Sequence, residues 1–159
     1  MADVIIDIEQ RLELAVRELL VAYTNLTGLT TAARVYYHRD TSHAVDYPCA
    51  TINAIGFAEM GMRTGWYKGA LQLAALTYRE DDKSRASLKT ILGALRGWGQ
   101  QTGLAAAITA TASATAAATA LSVADIWLEG PSVDASEDKV QAEFITLATV
   151  CRPSQATST

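Results

Sequence analysis

Half of the 159 residues are hydrophobic and 19% are charged, which suits one ordinary core and predicts a single domain. The formal net charge of -4 gives no electrostatic footprint of tight nucleic-acid binding, which usually shows as clustered Lys and Arg with a high pI.

From Asp3 to about Tyr23, the residues Ile5, Ile8, Leu12, Val16, Leu19 and Tyr23 recur at helical spacing and predict an amphipathic helix. Arg11, Arg17 and Glu18 take much of its other side, Asp3 is a candidate cap, and Gly28 a candidate stop. Asp3, Asp7, Glu9, Arg11 and Glu13 break up the N-terminal stretch, so it does not read as a signal peptide and the expected location is the cytosol.

Strands are predicted at ARVYYH (Ala33 to His38), CATINAI (Cys49 to Ile55) and WYKGALQLAALTYRE (Trp66 to Glu80). The glycine-rich GFAEMGMRTG between the last two reads as a long loop. Asp81, Asp82 and Ser84 supply cap candidates for a second helix, whose face is Leu88, Ile91, Leu92, Leu95 and Trp98.

An uncharged stretch runs from Gly97 to Ala124 and contains AAAITATASATAAATA. Between Leu104 and Ala124 its strongly apolar residues are Leu104, Ile108, Leu121 and Val123, too few to favour membrane insertion. Leu104 and Ile108, four apart among alanines, predict a short third helix; beyond Ala112 the pattern fades into a loop of small side chains. The last strands are SVADIWLE (Ser122 to Glu129) and KVQAEFITLATVC (Lys139 to Cys151), joined by the turn GPSVDASED. In the final strand Val140, Ala142, Phe144, Ala148 and Val150 fall on one face.

The expected fold class is therefore α+β: an antiparallel sheet of about five strands, with the N-terminal helix and the second helix packed on one face. Residues 1–151 form the domain and 152–159 a disordered tail. Cys49 and Cys151 match no metal spacing and are expected to be free thiols in strands. The tryptophans Trp66, Trp98 and Trp127 are expected in the core more than at a binding surface.

Catalytic signatures are missing: there is no P-loop, GxGxxG, GxSxG or HExxH. His38 and His43 flank a loop with Asp40 and Asp46 nearby, without the spacing of a metal site. The carboxylates Asp81 and Asp82, and Asp134, Glu137 and Asp138, lie at a helix start and in a turn. The expectation is a protein that is not an enzyme and uses no cofactor or metal.

The order of elements, with DYPCATINA, WYKGALQLAALTYREDDKSRASLKTILGALRGW and SVADIWLEGPSVDASEDKVQAEFITLATV, resembles the tail terminator proteins of long-tailed bacteriophages. The correspondence runs through Asp46, Tyr47 and Pro48, then Asp81 and Asp82, then Asp134 to Asp138, and the Ala/Thr stretch departs from it. The resemblance implies a virion protein at the head-proximal end of the tail, assembled in the host cytoplasm as a homo-oligomeric ring, a hexamer. Its partners would be the tail tube protein, whose growth it stops, and the connector or neck protein of the head. DNA would pass the ring's lumen without specific binding, and no membrane is involved. A head completion or neck adaptor protein of the same virion fits the same pattern, and a small cytosolic ligand-binding or enzymatic α+β domain is the alternative from another class.

The loops are the expected contact surfaces: Phe57 to Thr64, Val133 to Asp138 and, more weakly, Arg39 to Val45. Within them Phe57, Glu59, Met60, Met62 and Arg63 combine adaptable apolar surface with charge, and Val133, Asp134, Glu137 and Asp138 form the acidic turn. An alternative for the first set is that it folds back over the sheet edge as core.

Overall fold

The computed structural model describes residues 7–28, 34–40, 45–115 and 120–153. Asp3, Ile5, Ala33, His43 with the rest of 41–44, the stretch 116–119 and the tail 154–159 lie outside the described residues. The fold is α+β, and the described residues form four α-helices and a six-stranded, mostly antiparallel sheet.

Helix α1 spans Ile8–Val21, and Asp7 caps it by accepting the Ile8 amide at 2.9 Å. Its buried stripe includes Ile8, Leu12 and Val16, as the periodicity predicts, and then Leu20, while the predicted Leu19 is half-buried. A single turn, α2 (Thr24–Thr27), follows it, and Gly28 stands at the C-cap of α2. Helix α3 (Ala86–Gly99) buries Leu88, Ile91, Leu92, Leu95 and Trp98, the whole predicted face. Its end lies directly on the sheet: a Cβ on Gly99 would come within 2.8 Å of the Leu147 side chain.

Helix α4 (Leu104–Thr115) runs three residues further than the apolar spacing predicts. Leu104, Ile108 and Ala112 form its buried stripe. Ala112 is a core contact in spite of its size, and alanine's high helix propensity carries the helix on past it. The expected loop of small side chains therefore begins later than Ser113.

The strands are β1 (Val35–Tyr37), β2 (Cys49–Glu59), β3 (Tyr67–Tyr78), β4 (Leu121–Leu128), β5 (Val133–Asp134) and β6 (Val140–Pro153). Their order is β1-β2-β3-β6-β4, with β5 also paired to β6. β3 occupies one side of β6 along its length, so β4 and β5 follow each other along the opposite side. Three expectations are corrected here. β1 pairs β2 in parallel rather than antiparallel fashion. GFAE belongs to β2, because Gly56 takes a positive φ of 70° at an irregularity that lets the strand resume its pairing at Ala58. The predicted tail begins too early, since Arg152 and Pro153 pair with Ser122 and Leu121.

Register divides the sheet into two unlike faces. Ile52 on β2, Leu71 and Leu73 on β3, and Ile145 and Leu147 on β6 share the face that joins the helices in one core. Thr51, Asn53, Gln72, Ala74, Leu76, Ala142, Phe144 and Ala148 share the other. The apolar row predicted on the last strand thus points away from the helices.

Side chains occupy some of the backbone groups at the sheet edges. Beyond β1 the Ala54 amide donates to Glu13 Oε2 at 3.1 Å, and Arg39 pairs with Glu13 Oε1. Arg17 Nε donates to the Val35 carbonyl at 2.9 Å. On the far side Thr109 of α4 accepts the Val123 amide at 2.9 Å, beside the bulge in β4. Such contacts occupy backbone groups that would otherwise template another strand.

Cys49 and Cys151 are buried free thiols. They lie opposite Leu76 and Tyr67, nine residues apart on β3 and so about 30 Å from each other, too far for a disulfide. Burial pushes both thiols up to about 12. Both are expected to resist an aromatic disulfide reagent at pH 8 in the folded protein and to react fully in denaturant. Rapid native labelling of either would contradict this placement.

Candidate functional site

Two surfaces at opposite ends of the sheet hold the predicted contact residues. The first is the tip joining β2 to β3. Phe57 is not in a loop: it lies in β2, and its ring covers Gly69, where a Cβ would stand 2.4 Å from Cδ2. Phe57 therefore follows the alternative of folding back as core, while Met60 and Met62 point outward, Met62 being 91% exposed.

The tip is tied to itself. The Met60 amide donates to the Trp66 carbonyl at 2.8 Å, Thr64 Oγ1 donates to the Met60 carbonyl, and the Gly65 amide donates to Glu59 Oε1 at 3.2 Å. Gly61, Arg63 and Gly65 all take positive φ, which sets the turn. Glu59 is thus a positioning group inside the tip, and Arg63 is exposed with no ion pair among the described residues.

The second surface is the sheet face turned away from the helices. A groove of about 520 Å³ lies on it, with Ala74, Leu76 and Phe144 on its floor and Glu137, Asp138 and Lys139 at one wall. Tyr47 stands at the Lys139 end, its ring centroid 6.4 Å from that of Tyr78, and His38, which follows the β1 residue paired with Ile52, lines the groove further along. Further along this face Trp127 is 36% exposed beneath Lys68, whose Nζ is 5.6 Å from the ring centroid. Trp98 is in the core as expected, whereas Trp127 belongs to this open face and Trp66 lies half-buried beneath Arg152.

The acidic turn is held against its own chain more than the sequence suggests. Glu143, buried on β6, accepts Lys89 Nζ at 2.8 Å, Arg85 Nη2 at 3.0 Å and Ser132 Oγ at 2.6 Å. Arg85 also reaches Asp134 Oδ2 at 3.7 Å, so Asp134 is engaged within the chain. Val133, 47% exposed, and the exposed Glu137 and Asp138 remain at the surface. In the third segment, Arg39 is engaged with Glu13 and stacks 4.4 Å from the Tyr37 ring centroid, and 41–44 lie outside the described residues.

Asp82 fastens α3 to this end of the sheet. Its carboxylate accepts the Ser87 and Leu88 amides, each at 3.0 Å, and its carbonyl accepts Gln141 Nε2 at 2.6 Å. The cap thus comes from one of the predicted residues, although the chain passes through Arg85 at φ 61° before the helix begins. Burial works against the charged form of Asp82, but the Leu88 and Ser87 amides outweigh it and hold the carboxyl below its usual range. The Lys89 and Ser132 hydrogen bonds likewise outweigh burial at Glu143.

Both carboxyls bind protons more weakly folded than unfolded, so their stabilisation is complete above the ordinary carboxylate range, near pH 4 to 5, and is lost as pH falls through the lowered folded values. Asp82→Asn offers one acceptor for two amides and is expected to cost about 1–2 kcal/mol at pH 7. The loss should shrink in urea titrations carried towards pH 3. Equal stability of the two proteins at pH 7 would contradict the capping role.

No group of three His, Cys, Asp or Glu among the described residues is placed to hold a metal ion. Among the same residues, no helix is long and apolar enough to cross a membrane. No protein-family model matches the chain, and no curated protein matches it either.

Proposed function

We propose that this chain is a tail terminator subunit: a virion structural protein that forms a ring on the head-proximal end of the tail tube. The ring ends tube polymerisation and offers the head connector its docking surface. The observation that carries the reading is the sheet face that no helix among the described residues covers, a partly apolar surface with a groove, on a sheet with edge amides of β2 and β4 taken by side chains. Such a surface suits association face-on and disfavours indefinite strand addition. The order of elements that resembles the terminator family, and the α+β fold, support the same reading.

The mechanism is steric. Closed cyclic symmetry limits the ring to a fixed number of copies, six in this reading. One ring face fits the last tube ring, and the other presents no copy of the tube's growing end. The acidic chain leaves the lumen without a basic groove to hold DNA.

Negative-stain images and light scattering of the purified protein, alone and with tube protein, test the assembly. Six-fold rings are expected. A monomer under every condition would reject the terminator, and binding to the connector without binding to the tube would make the chain a neck adaptor.

A further inference from the structure

We infer that copies of this chain associate head to tail, the β2–β3 tip of one copy seating in the sheet-face groove of the next. The inference names the subunit contact and depends on the terminator reading only for the closure into a ring.

Four observations meet here. Met62 is 91% exposed on a loop whose backbone is held by its own hydrogen bonds, so the position from which its apolar side chain projects is set. The groove floor of Ala74, Leu76 and Phe144 gives an apolar seat, and methionine adapts to such a surface. Arg63 beside Met62 has no ion pair among the described residues, and Glu137 and Asp138 at the groove wall have none either, with Lys139 the one opposing ammonium there. Glu59 of the tip is turned onto the Gly65 amide, which leaves Arg63 as the tip's charge for the acidic wall.

The last observation is distance. The tip adjoins Tyr67, while the groove lies along β3 between Gln72 and Leu76, about 15–30 Å away. The tip of a chain cannot reach that chain's own groove. Two unlike patches at opposite ends of one molecule make a heterologous contact, the kind that closes into rings when the rotation allows. A reciprocal two-fold dimer, each tip in the other copy's groove, is the other closed arrangement of the same contact, and the stoichiometry of the assembly separates it from a ring.

The test uses the full chain in two forms, each checked for native circular dichroism and melting. Met62→Asp removes the tip and leaves the groove; Ala74→Trp fills the groove and leaves the tip. Each alone is expected to weaken self-association in sedimentation velocity by about 30-fold or more, the scale of a central interface residue. Mixed, they should form a one-to-one dimer and nothing larger, because only one competent pair of surfaces remains.

As a second measurement that leaves the core untouched, Glu137→Lys should weaken association several-fold, and Arg63→Glu in the same chain should restore it. Wild-type protein that stays monomeric at its highest soluble concentration would overturn the contact. So would Met62→Asp assembling like wild type, or folded variants that fail to pair on mixing. Assembly through this contact without capping of tail tubes would keep the contact and reject the terminator. Tube capping by a Met62→Asp ring of wild-type strength would do the reverse.

Discussion

Trp98→Ala should remove about 3–5 kcal/mol of stability, the usual loss when a large aromatic leaves a closed core. Trp98 is 2% exposed at the last turn of α3, within the cluster that joins α1, α3 and the covered face of the sheet. The neighbouring Gly99 lets the helix end touch Leu147 of β6, so the two surfaces meet too closely to shift into the space left behind. A domain of ordinary stability has about 5–15 kcal/mol in total. Urea titration should show a midpoint lowered by about a fifth or more, with an unchanged slope. A loss below 1 kcal/mol would mean that α3 does not dock as described.

The second large effect concerns the tip. Gly69→Val places a branched side chain where the Phe57 ring already lies, since even a Cβ would come within 2.4 Å of it. Gly69 pairs Thr149 on β6, so the backbone at that point is held from the other side and the ring is what must move. A cost of about 2–3 kcal/mol is expected, in the range of an overpacked core. In a Phe57→Ala background the same change should cost far less, and the coupling between the two sites should exceed 1 kcal/mol. Additive losses would show that the ring does not cover Gly69. Because Phe57 anchors the strand that leads into Met60 and Met62, Gly69→Val should also weaken self-association.

Part of this molecule is legible in its sequence because some patterns are one-sided. The stripes of α1 and α3 have polar residues opposite them, so periodicity finds both helices and most of the core residues they bury. The central strands carry no such contrast. β6 bears Ile145, Leu147 and Cys151 on one side and Ala142, Phe144 and Ala148 on the other, and alternation alone cannot say which row the helices cover. The open face is therefore the part of the candidate site that the sequence conceals, along with Trp127, which reads as core.

Long-range partners account for the other differences. Glu13 stands beside Leu12 on a helix and looks like a solvated charge, but it closes the edge of β2 through Ala54 and pairs with Arg39. Glu143 is hidden in the same way, since Arg85 and Lys89 lie more than fifty residues before it. The glycines near Phe57 read as breakers, yet Gly56 serves the bulge that carries β2 onward. In the Ala/Thr stretch, Thr109 Oγ1 accepts the Val123 amide at the edge of β4, a task no spacing rule announces.

The central claim is that this chain ends a tail tube. Its most direct test is to polymerise the tube protein of its own virion with and without the purified chain, and to measure tube lengths by electron microscopy. The account predicts a ring at one end of each tube, no further growth at that end, and loss of both with Met62→Asp. Tubes that keep growing, undecorated, in a molar excess of folded wild-type protein would contradict it.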